Sequence, residues 1–298
     1  MHEDQVELDA GVVRRLVDEQ FPQWAGLSLR GLATGGTVNS IFRVGDHLAV
    51  RFPLRNEPVE QVSSWLTGEA AAAAEFASAC TVPAPEPVAR GSPGHGYPMP
   101  WSVQTWVPGR DATIEDPARW PAFATDLADL IIALRGVEVR GRVYDGRGRG
   151  GHLPDHDAWM TTCFERSEGL LDTTRLRAIW AELRELPRID ADAMTHGDLT
   201  PANVLVKSGR LVGILDAGGF GSADPALDLV AAWHLLDVGP RDLLRSKLGD
   251  SDVTWRRGAA WAFEQAMGAA WYYATSNPAM SAWARRTLER LLTAKELT

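Results

Sequence analysis

The chain has 298 residues, of which 45% are hydrophobic and 23% charged. This composition is typical of a folded protein and excludes a disordered or collagen-like chain, while the length is sufficient for two lobes and too great for a disulfide-stapled mini-protein. The 39 acidic and 30 basic residues give a net charge of -9, which argues against nucleic-acid binding and favours a cationic partner. Two widely spaced cysteines, with neither a signal-peptide pattern nor an unbroken apolar span, predict a cytoplasmic protein without membrane contact.

The first half of the chain predicts a leading helix and an antiparallel sheet. Asp9 can cap the helix, and short apolar runs separated by turn residues over 27–53 predict three strands. The hairpin turn before the third strand places Arg51 near the end of that strand. An alanine-rich helix is predicted over 59–79, and short strands around Val88 and over 101–107 follow it.

The second half is predicted to be mostly helical. Its predicted helices cover 120–134, 156–169, 173–186 and two long segments between 252 and 292, with only two short strands, at 204–207 and 211–215. A small β-rich half before a larger α-rich half predicts an α+β bilobal protein, with lobes 1–107 and 108–298. The glycine- and arginine-rich run 140–151 is interpreted as a flexible loop, because it is short for an RNA-binding segment and the surrounding chain is acidic.

The strongest signal for chemistry is the run His196-Gly-Asp-Leu-Thr-Pro-Ala-Asn203, followed by the strand hairpin and Asp216. Phosphoryl transfer needs a carboxylate that orients and deprotonates a hydroxyl, together with oxygen ligands for Mg²⁺ on the nucleotide phosphates. Asp198, Asn203 and Asp216 supply this set of groups. One loop can present the first two, and the hairpin returns Asp216 to the same edge.

This run resembles the catalytic loop of the aminoglycoside phosphotransferase family, a kinase-like group that includes macrolide phosphotransferases and choline kinases. The resemblance covers nearly the whole chain and implies a protein-kinase-like fold, with a nucleotide-binding N-terminal lobe and a C-terminal lobe that carries the catalytic loop and acceptor site. It implies Asp198 as the catalytic base and Asn203 and Asp216 as Mg²⁺ ligands. It also implies that Asp228 braces the loop, while a helix-capping role for Asp224 is equally open.

The run 35–40 resembles the nucleotide loop of the same family. Gly35 and Gly36 would let backbone N–H groups approach phosphates, and Asn39 or Ser40 could add a side-chain donor. Kinases place a lysine on the third strand, but the three lysines of this chain all lie in its second half. Arg51 is the cation at that position, and its guanidinium can hold phosphate oxygens and a carboxylate together.

The resemblance also implies an acidic partner for this cation and a hinge that binds the nucleotide base. Glu69 is the predicted partner, with Glu75 and Glu60 as competing candidates. The backbone groups of Thr105 and Val107 are predicted to pair with the base. Because backbone recognition leaves little side-chain signature, ATP and GTP both remain open as phosphoryl donors.

Two histidine patterns favour structural interpretations. His152 and His156 have a spacing that would suit zinc on a helix, but Pro154 argues against a continuous helix there. His234 lies on an apolar helix, which predicts a satisfied core histidine. The aromatic residues of the C-terminal helices are predicted to be mostly core, with a part that could line an acceptor pocket: Trp233, Trp255, Trp261, Phe263, Trp271, Tyr272 and Tyr273.

The sequence therefore predicts a monomeric enzyme that moves the γ-phosphoryl group of ATP or GTP to a hydroxyl of a small molecule. The acidic balance, with Glu165, Asp237 and Glu264, favours an aminoglycoside antibiotic as the acceptor and leaves a role in resistance open. The aromatic helices favour a macrolide instead. A non-catalytic kinase-like ligand-binding protein is a further alternative, but such a protein would not need the catalytic base that Asp198 provides. A protein kinase is disfavoured because no Ala-Pro-Glu segment follows Asp216.

Overall fold

A computed structural model describes residue 6, residues 8–32 and residues 39–297. The chain divides into two compact units, Met1–Ser78 with Ala84–Pro108, and Ala79–Pro83 with Gly109–Thr298. The predicted α+β class is confirmed, since the first unit holds a five-stranded antiparallel sheet and the second is mainly helical. In the part of the chain that the structure describes, no helix has the length and apolar character of a membrane span.

The first unit is a sheet with two long helices. Its elements are α1 (Ala10–Gln20), β1 (Leu29–Gly31), β2 (Asn39–Val44), β3 (Leu48–Pro53), α2 (Val59–Ala79), β4 (Pro87–Gly91) and β5 (Trp101–Thr105). The strand order is β1-β2-β3-β5-β4, with every neighbouring pair antiparallel. Helix α1 begins where expected, because the Asp9 carboxylate accepts the N–H groups of Gly11 and Val12.

The core of the first unit fixes the orientation of β3. Val50 and Phe52 are fully buried, and the Phe52 ring stacks on Trp101 with centroids 4.8 Å apart. Gly91 leaves room for that indole, since a Cβ there would lie 2.0 Å from a ring atom of Trp101. Side chains alternate between the faces of a strand, so Arg51 points away from this core.

The second unit contains more strands and helices than the sequence predicts. Its elements are β6 (Arg110–Asp111), α3 (Pro121–Arg135), α4 (Asp157–Ser167), α5 (Thr173–Leu183), β7 (Ala193–Thr195), β8 (Val204–Lys207), β9 (Arg210–Ile214), β10 (Gly221–Ala223), α6 (Val230–Leu235), α7 (Val238–Leu248), α8 (Asp252–Tyr272) and α9 (Pro278–Thr293). The expectation of only two strands is wrong. β6 pairs with β8 and β10 with β7, and strands this short show no alternation in sequence.

Helix α8 runs through the centre of the second unit. Most of its residues are buried, so it lacks the polar face of a surface helix. Its Arg257 is only 2% exposed and donates two hydrogen bonds to Asp224 Oδ2, at 2.8 Å from Nε and 2.6 Å from Nη2. The Asp224 carboxylate also accepts the N–H of Ala226 at 3.0 Å, as expected of a cap. Helix α8 thereby anchors the segment that leads to Asp228.

Candidate active site

The predicted catalytic loop, residues 196–203, lies between β7 and β8, and Asp216 follows β9 after one residue. Strands β8 and β9 pair with Val204 opposite Ile214. One position beyond this pair, the N–H of Leu215 donates to the carbonyl oxygen of Asn203 at 2.8 Å. The hairpin therefore brings Asn203 and Asp216 together at its open end, as the sequence predicts.

A buried imidazole joins the loop to the end of β9. Nδ1 of His196 accepts the N–H of Asp198 at 3.2 Å, so the ring proton lies on Nε2. Nε2 then donates to the carbonyl oxygen of Leu215 at 2.9 Å. His196 thus sets the position of Asp198 relative to the strand end that carries Asp216.

Asp228 holds the start of the loop through its carboxylate. Its two carboxylate oxygens accept the N–H groups of His196 and Gly197, each at 2.9 Å. Burial raises the pKa of Asp228, while these two backbone hydrogen bonds oppose that rise. Gly197 has a φ of 81°, a conformation in which glycine is favoured. These contacts fix the backbone on the N-terminal side of Asp198.

Asn203 orients the predicted base. Its Nδ2 donates to the carbonyl oxygen of Asp198 at 3.0 Å and to Oδ2 of the same residue at 2.9 Å. The Asp198 side chain nevertheless remains 41% exposed, so a ligand can reach it. Because the amide nitrogen of Asn203 faces Asp198, its Oδ1 is the atom left to face a cation.

The donor set fits Mg²⁺, which prefers carboxylate and amide oxygens. Across the described residues, no group of three or more His, Cys, Asp or Glu side chains could hold a metal ion. A cation at the end of the hairpin would therefore depend on the Asp216 carboxylate and Oδ1 of Asn203. Asp216 adopts a left-handed conformation with a φ of 59°, which turns the chain at this point.

The structure adds a residue that sequence reasoning missed. Arg149, in the run interpreted as a flexible loop, donates from Nη2 to Oδ1 of Asp198 at 3.1 Å. Gly146, Gly148 and Gly150 around it all have positive φ values, which explains the glycine content of the run. The sequence shows only that Arg149 is one of several arginines in this run, and it does not indicate which residue Arg149 contacts.

Two histidines outside the loop, His156 and His234, have side-chain partners. His156 Nδ1 lies 3.1 Å from Oε1 of Glu264, and this hydrogen bond raises the pKa of His156. His234 contacts Thr287 at 3.1 Å and Gln265 at 2.7 Å, and burial lowers its pKa to about 3. His234 is thus a neutral core histidine, as predicted. The zinc alternative for His152 and His156 gains no support from these contacts.

In the first unit, Arg51 forms an ion pair with Glu69. Its Nη1 lies 3.6 Å from Oε2 of Glu69, and the side chains are 12% and 17% exposed. Asn39 and Ser40 begin β2; Asn39 is buried, and its Oδ1 has no hydrogen-bond partner among the described residues. Gly35 and Gly36 lie outside the described residues.

The predicted hinge begins at the end of β5. The N–H of Thr105 donates to the carbonyl oxygen of Glu86 at 2.9 Å, which leaves only the carbonyl oxygen of Thr105 for a nucleotide base. Val107 follows the strand and its side chain is buried. The base-binding role of both residues stays a prediction.

A family model described as the phosphotransferase enzyme family matches residues 29–261. The chain belongs to this family. The aminoglycoside 3′-phosphotransferase of Streptomyces fradiae is 32% identical over an alignment that covers 48% of this chain and 60% of the relative. The chain therefore matches about 60% of the length of that member. The resemblance inferred from the catalytic loop is confirmed.

Solved structures show the same fold as this family member. An aminoglycoside phosphotransferase in complex with GDP and kanamycin has a TM-score of 0.65 at 20% identity, over 94% of this chain and 96% of its own. The macrolide 2′-phosphotransferase of Brachybacterium faecium has a TM-score of 0.60 at 18% identity, over 94% and 98%. At these identities the likeness shows the kinase-like fold and does not distinguish the two classes of acceptor.

Proposed function

We propose that the protein transfers the γ-phosphoryl group of ATP or GTP to a hydroxyl of a small molecule, with Mg²⁺ as cofactor. The main support for this proposal is the geometry of the loop. Asp198 has a partly exposed carboxylate that Asn203 orients, and the β8–β9 hairpin holds Asn203 and Asp216 together. Membership of the phosphotransferase family supports this reading.

Asp198 acts as the base in this proposal. Its Oδ2 accepts a hydrogen bond from Asn203, which holds the carboxylate in one orientation. The carboxylate would accept the hydroxyl proton of the acceptor as that oxygen attacks the γ-phosphorus. The bonds from His196 and Asp228 keep the loop backbone from moving as this proton transfers.

Asn203 and Asp216 would hold Mg²⁺ through Oδ1 and a carboxylate oxygen. Bound there, the ion would neutralise charge on the nucleotide phosphates. Asn203 would then have two tasks, since its nitrogen orients the base and its oxygen faces the metal.

Arg51 is proposed to bind the phosphates of the nucleotide. The planar guanidinium matches the geometry of phosphate oxygens, and the ion pair with Glu69 restrains it. Gly35, Gly36, Asn39 and Ser40 are proposed to approach the same phosphates. In this proposal the purine base of the nucleotide contacts the backbone at Thr105 and Val107.

An aminoglycoside is the proposed acceptor. The net charge of -9 suits a polycation, and the Streptomyces fradiae relative carries that activity in its name. A macrolide is the second candidate, because Trp159 on α4 and Tyr272 on α8 leave 40% and 39% of their surface exposed. Large apolar acceptors bind such aromatic surfaces.

The test is an acceptor panel. Aminoglycosides, macrolides and choline are each incubated with Mg-ATP or Mg-GTP, and the mass gain of one phosphoryl group is scored. The Asp198→Asn variant is the control for background transfer. Nucleotide binding without product for any acceptor would contradict the proposal and favour the non-catalytic ligand-binding protein.

A further inference from the structure

Arg149 is held in a fixed position beside the proposed base. The hydrogen-bond network orients the Gln265 amide with its oxygen toward Arg149, at 2.9 Å from Nε and 3.2 Å from Nη2. The Gln265 nitrogen then donates to Nε2 of His234 at 2.7 Å, and His234 is buried. Nη2 of Arg149 also donates to Oδ1 of Asp198 at 3.1 Å. Two donor nitrogens of the guanidinium are therefore fixed by the protein.

Nη1, the third guanidinium nitrogen of Arg149, is not held in the same way. The nearest carboxylate oxygen to Nη1 is Oε2 of Glu264, at 3.9 Å, which is too long for a hydrogen bond. Among the described residues, Nη1 makes no hydrogen bond, and the Arg149 side chain is 33% exposed. A guanidinium restrained at one edge, with two N–H donors unused at the other, is suited to bind an oxygen of a ligand.

Two carboxylates lie around this position, and both are near the positive charge of Arg149. Asp198 accepts from Arg149 on Oδ1 and from Asn203 on Oδ2. Glu264 is only 6% exposed; its Oε1 contacts His156 at 3.1 Å, while its Oε2, which faces Nη1, makes no hydrogen bond among the described residues. An ammonium group placed beside Nη1 would meet the positive charge of Arg149, which lies between it and Glu264.

We propose that Arg149 determines acceptor specificity, by binding an oxygen substituent next to the reacting hydroxyl and disfavouring an ammonium group there. This inference rests on the proposed function, because it takes Asp198 as the group that contacts the reacting hydroxyl. Nη1 and Nη2 belong to one planar group, so a ligand atom bound to Nη1 lies next to whatever contacts Asp198. The favoured acceptor then carries adjacent hydroxyls, as a sugar ring does.

Kanamycin A and kanamycin B test this within one scaffold. In kanamycin A the 3′-hydroxyl has hydroxyl groups on both sides, whereas the 2″-hydroxyl has an amine on one side. Kanamycin B replaces the 2′-hydroxyl, next to the 3′ position, by an amine. We expect transfer to a kanamycin A hydroxyl flanked by hydroxyls, with kcat/KM higher than for kanamycin B by about 10-fold or more.

Three variants assign the effect to the guanidinium. Arg149→Gln should reduce the preference for kanamycin A toward unity, chiefly through KM. Arg149→Lys keeps the charge but not the planar fork, so it should still disfavour kanamycin B while binding kanamycin A less well. Arg147→Gln, an exposed arginine two residues earlier, should leave the preference unchanged. Because each preference is a ratio within one variant, partial loss of folded protein does not affect it.

Several outcomes would overturn the inference. These are phosphorylation of kanamycin A at the 2″-hydroxyl by the unmodified protein, equal kcat/KM for the two kanamycins, and an unaltered preference in Arg149→Gln. If neither kanamycin is phosphorylated, calorimetry replaces kinetics, and equal binding or no binding also overturns it. The proposed function fails by a separate result, which is no transfer to any acceptor of the panel.

Discussion

Arg51 and Glu69 form an ion pair, with 3.6 Å between Nη1 and Oε2 and with both side chains largely shielded from solvent. The pair joins β3 to α2 within the first unit. A partly buried pair of this kind is screened less by salt than a surface pair, and removal of one partner takes a charge contact away from the other. Substitution of either residue should therefore affect the position of the other.

Arg51→Ala is expected to weaken nucleotide binding and to lower kcat together, because the guanidinium both binds and positions the phosphates. Glu69→Ala should act through Arg51, so the double variant should lose less than the sum of the singles, with a coupling of about 1 kcal/mol. Nucleotide affinity and turnover measure this cycle. Arg30→Ala, at an exposed arginine of β1, is the matched control. Normal nucleotide binding by Arg51→Ala would move the phosphate-binding role to another cation.

Asp198→Asn is expected to lower kcat by roughly 100-fold or more while nucleotide affinity stays nearly unchanged. The amide has almost the shape of the carboxylate but is not a base. Single-turnover kinetics and nucleotide titration separate the two effects, and Asp242→Asn at an exposed position of α7 is the control. Near-normal kcat would exclude Asp198 as the base.

Asp216→Asn and Asp216→Ala are expected to raise the Mg²⁺ concentration needed for half-maximal activity by about 10-fold or more, since each removes a charged ligand. The two variants should differ in stability. Asn tolerates the left-handed backbone of residue 216, whereas Ala should cost about 1 kcal/mol more in unfolding free energy. Mg²⁺ titration and urea unfolding test both points. An unaltered metal requirement in both variants would place the metal elsewhere.

His156 should make stability depend on pH. Its hydrogen bond to Glu264 raises the folded-state pKa above the ordinary value of 6.5. The stabilisation from the charged pair is therefore fully present below about pH 6.5 and is lost as the pH rises through the folded-state pKa. His156→Gln should thus destabilise more at about pH 5 than at about pH 9, by up to about 1 kcal/mol.

Unfolding free energies across this pH range measure the effect of His156→Gln. His152→Gln, at an exposed histidine four residues earlier, is the matched control. A destabilisation by His156→Gln that does not change with pH would show that the pair is not charged.

Local sequence patterns predicted the larger elements well. The sequence predicts an alanine-rich helix over 59–79 and α2 spans Val59–Ala79, because alanine has the highest helix propensity and prolines lie on both sides of the segment. The β8–β9 hairpin likewise agrees with the two short strands predicted at 204–207 and 211–215. In contrast, β7 and β10 have three residues each and form only because distant parts of the chain meet.

The same distinction applies to the candidate site. The relation between Asp198 and Asn203 is contained in one loop, so five residues of sequence were enough to predict it. The contact between Arg149 and Asp198 spans 49 residues of sequence and starts in a run without hydrophobic periodicity. No local rule identifies such a contact, since it depends on the packing of α8 residues that hold Arg149 in place.

Helix α8 limits how this protein can diversify. Arg257, which anchors Asp224, and Glu264, which faces Arg149, are separated by about two helical turns. One inserted residue between them would rotate every later side chain by about 100° and turn Glu264 away from its neighbours. We therefore expect new acceptor preferences to arise from substitutions, or from length changes in the loop 136–156. Directed-evolution libraries should vary that loop and leave the length of α8 unchanged.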